Sequence, residues 1–365
     1  MLNPQQRWFL IKLIPYPIIS LSGGFLYWIL ELGIIGETKF YPATGNLYNS
    51  SSSFVAVHSM TFLLGLSLGL IEETLFKGRF RKISFLPKII LKTVIYMGLL
   101  TLLMFVSSII LNAINMNTSV TDPEVISTVV SFLGSFTYMS IAIYAGAVID
   151  LTLFFNEIIS FLGLDVVGTY FTGKYSKPVK ESRVFMFLDM RSSTTIAEKL
   201  GHEKHYQLIN DYYADMSRAI IETQGQVYQY VGDEIVVSWK IDRGLNQSNC
   251  LACFFQISEK IRQKSERYIF RYGLIATFKA GLHVGEVTRG QVGLIKREML
   301  FIGDVLNTTA RIQGLCNELE SDLLISKELK ARLPETLNFN FASKGCYELR
   351  GREQKEELFE VTVDN

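Results

Sequence analysis

Long apolar runs fill the first half of the chain, whereas shorter apolar runs alternate with polar residues in the second half. The long runs extend roughly over residues 14–35, 54–71, 89–111 and 129–149. Each run approaches the ~20 residues that a helix needs to cross the hydrocarbon core of a bilayer. The pattern predicts an all-α transmembrane domain of about four helices over residues 1–155. Because the first run contains Pro15 and Pro17, it is either a full span or a shorter, kinked anchor.

The charges between these runs predict the orientation of the membrane domain. The segment after the second run is basic, while the loop between the third and fourth runs carries Asp122 and Glu124 but no lysine or arginine. Basic loops stay on the cytoplasmic side of a membrane. We therefore expect a multi-pass protein of the cell (inner) membrane whose N-terminus and second half are cytoplasmic. The spans are either a passive anchor or a sensor, and both interpretations stay open.

Residues 156–180 connect the two halves. Apolar residues recur at helical spacing from Asp150 to Tyr170, which predicts that the fourth span continues as an amphipathic helix. Gly163, Gly168 and Gly173 then predict breaks in regular structure. The segment is either a plain linker or a helix pair that transmits a signal.

The second half, residues 181–365, has the periodicities of an α+β domain. Apolar strand-like runs predict strands at 184–188, 226–231, 234–239, 275–283 and 298–302, followed by short strands to Val363. Helical spacing of apolar residues predicts helices near 203–223, 246–269 and 304–317. This alternation of strands, helices and a hairpin is typical of one sheet covered by helices.

Composition narrows the function further. The formal net charge is +1, so the overall balance gives no support to a nucleic acid polymer as a partner. The mean hydropathy of +0.23 is typical of a chain that has both a membrane part and a soluble part. Cys250 and Cys253 lie three residues apart within a predicted helix, without a second pair, and we interpret them as small core residues rather than as zinc ligands.

Two aspartates occupy positions that are typical of a divalent metal site. Asp189 follows the apolar run 184–188, and Asp233 lies in the turn between two predicted hairpin strands. A carboxylate at the end of a buried strand, facing another at a hairpin tip, suits divalent cations held against a triphosphate. The sequence therefore predicts a nucleotide-processing enzyme.

A third motif follows the strand that ends at Gly303. Asp304 is placed to cap the next helix, on which Asn307 and Arg311 lie four residues apart and therefore on one face. An amide and a guanidinium that project together suit the charge that develops on phosphorus during phosphoryl transfer. Taken alone, the motif is better explained as an ordinary exposed helix face.

These motifs together resemble a known family. The segments Phe187-Leu-Asp189-Met-Arg-Ser-Ser-Thr-Thr195, Tyr230-Val-Gly-Asp233-Glu, Ala280-Gly-Leu-His283-Val-Gly285-Glu-Val and Ile302-Gly-Asp-Val-Leu-Asn307-Thr-Thr-Ala-Arg311 occur in the order found in class III adenylate/guanylate cyclases. The resemblance extends from about Arg183 to Val361 and is greatest to membrane-anchored bacterial members. It implies a ferredoxin-like, palm-type catalytic domain behind the membrane domain.

The resemblance also implies a mechanism and assigns roles to residues. Asp189, Asp233 and the Met190 carbonyl would hold two Mg²⁺ or Mn²⁺ ions, Asn307 would orient the ribose, and Arg311 would stabilise the transition state. Backbone amides around Ser193 and Thr194 would bind phosphate oxygens, and Arg352 matches a terminal phosphate-binding position. Since members of the family combine metals from one protomer with the asparagine and arginine of another, the resemblance implies a head-to-tail homodimer.

The two positions that contact the base in this family are occupied here by Gln229 and Leu300. Both residues depart from the family's common patterns. A glutamine amide satisfies adenine or guanine, whereas leucine hydrogen-bonds neither base. We expect ATP rather than GTP as the substrate, with a guanylate or relaxed-specificity cyclase as the alternative. A diguanylate cyclase, favoured only by the string Gly232-Asp233-Glu234-Ile235, and a catalytically silent membrane receptor or scaffold are weaker alternatives.

Overall fold

A computed structural model describes residues 3–36, 39–40, 48–76, 78–80, 83–175, 177–334, 338–349 and 355–363. The chain divides into two compact units. One comprises Gln6–Gly168, and the other comprises Thr169–Asn365 together with Met1–Gln5.

The first unit is helical. Its helices are α1 (Pro4–Leu13), α2 (Pro15–Ile35), α3 (Ser50–Leu70), α4 (Phe85–Met116), α5 (Pro123–Leu133), α6 (Phe136–Leu162) and, across the unit boundary, α7 (Leu164–Thr172). A π-helical turn, Ile71–Leu75, extends α3. Four helical segments are long and apolar enough to cross a membrane, namely Pro4–Ile35, Ser50–Leu75, Phe85–Ile114 and Phe136–Leu162. The prediction of about four apolar helices is confirmed.

The fourth apolar helical segment differs from the bounds predicted for the fourth span. The apolar run 129–149 divides between α5 and α6, because the chain leaves the helix at Gly134 and Ser135. The Ser135 hydroxyl accepts a hydrogen bond from the backbone amide of Tyr138 and so caps α6. Helix α6 then continues to Leu162, beyond the predicted end of the span.

The connecting segment agrees with the predicted breaks only in part. Gly163 has a φ of 87°, a conformation that favours glycine, and it ends α6. Helix α7 continues through Gly168, so the break predicted there is wrong. Gly173, with a φ of 61°, lies just beyond the end of α7.

The second unit consists of one sheet and the helices that cover it. The strands are β1 (Val179–Met190), β2 (Gln226–Val231), β3 (Glu234–Lys240), β4 (Phe278–Val292), β5 (Glu298–Ile302), β6 (Leu323–Ser326), β7 (Phe339–Glu348) and β8 (Lys355–Val363). The helices are α8 (Ser193–Leu200), α9 (His202–Glu222), α10 (Ile241–Leu245), α11 (Asn249–Arg262), α12 (Ser265–Tyr272), α13 (Asp304–Gly314) and α14 (Lys327–Arg332).

The sheet has eight strands in the order β2-β3-β1-β4-β6-β8-β7, with β5 paired to β4. β1 lies between β3 and β4 and is antiparallel to both. Apolar side chains of β1, β3 and β4 pack against α9 and α11 in the main core, which includes Trp239, Met216 and Phe254. Burial of both faces of β1 explains its continuous apolar run. The predicted α+β fold is confirmed.

Three elements of this unit differ from the prediction. β1 begins five residues before Val184, and β4 extends nine residues beyond His283 to pair with β5. The helix predicted over 246–269 is divided, because Gln263 and Lys264 separate α11 from α12. Cys250 and Cys253 are fully buried on α11, in agreement with their prediction as core residues.

Candidate active site

Asp189 lies near the C-terminal end of β1, which lies between β3 and β4 in the sheet. Its Cα is paired with that of Lys279 on β4, and the preceding Leu188 is paired with Ile235 on β3. Leu188 is fully buried, while the Asp189 side chain is 23% exposed. The strand therefore places a partly exposed carboxylate between two core residues, Leu188 and Met190.

Asp233 lies in a two-residue turn with Gly232, between the paired residues Val231 and Glu234. Gly232 has a φ of 63°, which a glycine adopts without strain. The Tyr213 hydroxyl on α9 lies 2.9 Å from the Gly232 carbonyl and 3.0 Å from the Glu234 carbonyl, and these are alternative acceptors for its proton. This contact fastens the turn that carries Asp233 to helix α9.

Three carboxylates, those of Asp189, Asp233 and Glu234, interact with one another at the end of β1, and we call this group the carboxylate corner. Burial, followed by the charge of Asp233, raises the pKa of Asp189. Burial, followed by the charges of Asp189 and Asp233, raises the pKa of Glu234 to about 7. Like charges in a partly buried site repel each other, so each carboxylate makes ionisation of its neighbours less favourable. Because a bound cation relieves this repulsion, the carboxylate corner attracts cations.

Two side chains from neighbouring elements contact Asp189 directly. The Lys279 ammonium lies 3.4 Å from Oδ2, and its side chain is only 12% exposed. The Gln313 amide on α13 donates to the same oxygen at 3.0 Å. Both interactions oppose the rise in the pKa of Asp189.

The donor set fits hard divalent cations. Carboxylate and carbonyl oxygens are the ligands that Mg²⁺ and Mn²⁺ prefer, and Mg²⁺ sites often combine one or two carboxylates with substrate phosphates. Within the described ranges, no group of three histidine, cysteine, aspartate or glutamate side chains has the geometry of a self-sufficient metal site. Asp189, Asp233 and the Met190 carbonyl would supply oxygen ligands of this kind.

The segment after β1 turns sharply into α8. Ser192 has a φ of 57°, and α8 begins at Ser193. The amides of Ser193 and Thr194 therefore belong to a first helical turn, which has no intrahelical acceptors for its N–H groups. The Arg191 side chain turns away from this loop and contacts Asn317, Asp322 and the Ser321 carbonyl.

Asn307 and Arg311 lie on α13, which crosses the sheet over β4. A Cβ at Gly281 of β4 would lie 2.3 Å from the backbone nitrogen of Gln313, so the glycine permits a very close approach of helix and strand. Asn307 is exposed and Arg311 is half-buried. Among the described residues, neither side chain hydrogen-bonds to Asp189 or Asp233, and Nη1 of Arg311 is buried without a hydrogen-bond partner.

The remaining predicted residues lie on the outer strands. Gln229 is exposed on β2, at an irregularity in its pairing with β3. Leu300 is half-buried on β5, opposite Gly290. No described contact joins the two positions. Arg352 lies outside the described residues.

Lys279, Gln313 and Tyr213 were not predicted from the sequence as site residues. Lys279 had a signal, because it is a lone charge within an apolar strand-like run. Its pairing with Asp189 depends on the register of β1 and β4, which one sequence does not reveal. Gln313 and Tyr213 had no signal beyond their positions on predicted helices.

Comparisons with known proteins agree with this architecture. Residues 175–362 match the family model for the adenylate and guanylate cyclase catalytic domain. Adenylate cyclase 2 of Rhizobium meliloti (strain 1021) is 34% identical over 225 residues, which are 62% of this chain and 62% of that protein. The adenylate cyclase of Anabaena cylindrica is 28% identical over 182 residues, which are 48% of this chain and 36% of that protein. The chain thus spans less than two thirds of the length of either relative.

A solved structure has the same fold. A bacterial light-regulated adenylyl cyclase superposes with a TM-score of 0.53 at 19% identity, covering 63% of this chain and 66% of that one. The family match covers more than half of the 365 residues and includes all four motifs, the sheet and helix α13. The chain therefore belongs to the adenylate and guanylate cyclase catalytic domain family.

Proposed function

We propose that this protein is a membrane-bound nucleotide cyclase that converts ATP into 3′,5′-cyclic AMP and pyrophosphate. The observation that carries the proposal is the carboxylate corner of Asp189, Asp233 and Glu234 at the end of β1, with its raised pKa values. Such a corner suits the recruitment of divalent cations with a triphosphate. The ribose 3′-oxygen attacks the α-phosphorus, the bond to the β-phosphate bridging oxygen breaks, and the 3′-hydroxyl proton passes to solvent.

The residues of the site have separate roles in this reaction. Asp189, Asp233 and the Met190 carbonyl would hold two Mg²⁺ or Mn²⁺ ions, which when bound supply Lewis-acid activation of the hydroxyl and of the departing pyrophosphate. The first-turn amides of Ser193 and Thr194 bind phosphate oxygens. Asn307 orients the ribose, and Arg311 donates hydrogen bonds to the charge that develops on the α-phosphate.

We further infer that two copies of the chain form each active site. Gln313 faces Asp189 within one protomer. At 100° per residue, Arg311 lies about 200° away around α13, so it points away from the carboxylates of its own protomer. Asn307, six residues before Gln313, is exposed. In a head-to-tail homodimer these side chains reach the carboxylates of the partner.

Adenine is the proposed base. The two relatives described above carry the name adenylate cyclase, and the exposed amide of Gln229 offers both a donor and an acceptor to a base edge. GTP remains the alternative substrate, because Leu300 adds no polar group that discriminates. We also propose that the four apolar helices span the cell (inner) membrane with the basic segment, the N-terminus and the catalytic unit in the cytoplasm.

The test uses the full-length protein purified in detergent with Mn²⁺ and an equimolar mixture of nucleoside triphosphates. We expect mass spectrometry to show cyclic AMP as the main product. We expect the activity of Asp189→Ala and of Asp233→Ala to be lower than that of the wild type by a factor of at least about one thousand. Lys327→Met, which replaces an exposed lysine of α14, is the matched control. A main product of cyclic GMP would overturn the choice of base, and full activity in both aspartate variants would overturn the site.

Complementation tests the shared site. Neither Asp189→Ala nor Asn307→Ala is active alone, but their mixed dimer contains one site with both residues intact. We expect the co-purified heterodimer to recover up to about half of the wild-type activity per dimer. Verified heterodimers without recovery would contradict a site that is built from two protomers.

A further inference from the structure

The helical unit contains a charged cavity that the cyclase reaction does not use. Its volume is about 410 Å³, and its lining includes, among the residues that the structure describes, three lysines and three glutamates. These residues are Lys12, Lys88, Lys92, Glu72, Glu73 and Glu157. Ionisable residues within apolar spans are rare because they are costly, and those that persist mark binding sites or pathways. The cavity lies in the size range of small-molecule sites.

Some of these charged residues form a buried framework of ion pairs and hydrogen bonds. Lys92 and Glu72 form an ion pair of 2.6 Å, with side chains only 9% and 10% exposed. The Tyr96 hydroxyl donates to the other oxygen of Glu72 at 2.7 Å. Lys88 pairs with Glu157 and so joins α4 to α6. These contacts hold the walls of the cavity in place.

The π-helical turn Ile71–Leu75 directs two consecutive glutamates to the cavity. A π turn contains more residues than an α turn, and such turns occur frequently at functional sites. Glu72 is engaged in the framework, whereas no ion pair joins Glu73 to another residue in the part of the chain that the structure describes. Glu73 is therefore available as an acceptor for a ligand.

The cavity also contains positively charged groups that can donate hydrogen bonds. An ammonium group has three N–H donors, so Lys88 retains donors beyond its contact with Glu157. Lys12 lines the same cavity, with its ammonium 4.1 Å from the Trp8 ring centroid. The described residues of the lining carry three positive and three negative charges, so their formal charges sum to zero. A ligand with both signs and no net charge satisfies both sets without leaving an unpaired charge in a poorly solvated site.

The position of the cavity identifies the source of such a ligand. Its residues come from the α1–α2 junction, the end of α3, the start of α4 and the end of α6, which is the end of the unit next to the basic segment. Lys92 lies seven residues into α4, or roughly 10 Å along the helix. In a bilayer this depth is the boundary between headgroups and acyl chains.

We propose that the cavity binds the headgroup of a phospholipid that carries a phosphate and a primary ammonium. The phosphate accepts hydrogen bonds from Lys12 and Lys88, and the ammonium donates to Glu73. Phe80 and Tyr16 complete the lining beside the acyl chains. The proposal rests on the proposed insertion of the helices into a membrane and is independent of the catalytic site.

The test measures lipid retention by the full-length protein after nanodisc reconstitution and native mass spectrometry. The probe lipids are phosphatidylethanolamine, phosphatidylcholine, whose quaternary ammonium donates no hydrogen bond, and anionic phosphatidylglycerol. We expect about tenfold stronger retention of phosphatidylethanolamine than of phosphatidylcholine by the wild type, and about equal retention by Glu73→Gln. Glu124→Gln, an exposed glutamate on α5 outside the cavity, should keep the preference.

Folding and the source of the ligand are controlled separately. Circular dichroism and size-exclusion chromatography show whether Glu73→Gln keeps the wild-type fold, and membrane fractionation shows whether the chain inserts at all. Equal retention of the two zwitterionic lipids by the wild type would overturn the proposal, as would a preference for phosphatidylglycerol. Displacement of the retained lipid by soluble phosphoethanolamine at micromolar concentration would overturn the assignment to a lipid.

Discussion

Lys279 is the residue whose charge bears most directly on the carboxylate corner. Its ammonium contacts Asp189 and is largely shielded from solvent. At this position a cation neutralises part of the repulsion between Asp189, Asp233 and Glu234, and it also competes with any metal ion for the same oxygen. The affinity of the site for a metal ion therefore depends on the Lys279 ammonium as well as on the carboxylates.

Removal of this ammonium should therefore tighten metal binding. We expect Lys279→Met to bind Mn²⁺ about tenfold more tightly than the wild type, because about 1.4 kcal/mol of charge repulsion between ammonium and metal is lost. Titration calorimetry without nucleotide measures the affinity. Lys327→Met removes an equally paired but exposed lysine and should leave it unchanged. Weaker binding by a folded Lys279→Met variant would show that the lysine positions Asp189 instead.

The cysteines provide a second prediction for single residues. Burial raises the pKa of Cys250, Cys253 and Cys316 to about 12 each, whereas Cys346 is exposed. A raised thiol pKa lowers the thiolate fraction, so at pH 8 these three thiols are almost wholly protonated and unreactive. We expect a maleimide at pH 8 to add once per native chain, at Cys346, and four times after denaturation, counted by intact mass. Rapid modification of Cys316 in the native protein would contradict its burial.

The contact between β4 and α13 carries the next prediction, at the scale of elements. A methyl group at Gly281 would meet backbone atoms of Gln313, which cannot move without moving the helix that carries Asn307 and Arg311. We expect Gly281→Ala to destabilise the catalytic unit by about 3 kcal/mol and to abolish most activity. Differential scanning fluorimetry and a cyclase assay measure the two effects.

A matched control lies on the same helix. Gly314 ends α13, and a Cβ there meets nothing within 4 Å. Gly314→Ala should change stability by less than about 1 kcal/mol and keep activity. If the two variants behaved alike, the close approach of β4 and α13 would not be the constraint that we describe.

Elements differ in how far their sequence predicts them. Helix α9 and the β2–β3 hairpin agree with prediction to within a residue or two, because an amphipathic period and a Gly-Asp turn are local signals. The end of β4 and the break before α6 were missed, since strand pairing with β5 and a serine cap within an apolar run depend on context. Asp189 and Asp233 were recognisable from their neighbours in the chain. Lys279 was not, because its role follows from the register between strands.

At the scale of the whole molecule, the loop between β4 and β5 exposes apolar side chains. Leu294 is 90% exposed, and Ile295 is fully exposed. These residues stand at the tip of a hairpin whose far strand carries Leu300 and leads into α13. Apolar tips of this kind are costly in water and are typical of contact surfaces. The proposed homodimer gives them a partner.

The double variant Leu294→Ser/Ile295→Ser should therefore weaken the dimer. Burial of a Leu or Ile side chain stabilises by about 1.5–3 kcal/mol, so loss of both from each protomer should raise the dimer dissociation constant at least a hundredfold. Analytical ultracentrifugation in detergent measures this constant, and activity per chain should fall at low protein concentration and recover at high concentration. Phe270→Ser, which removes a side chain that is 91% exposed on α12, serves as the control and should leave both unchanged. A double variant that dimerises like the wild type would place the protomer contact elsewhere on the catalytic unit.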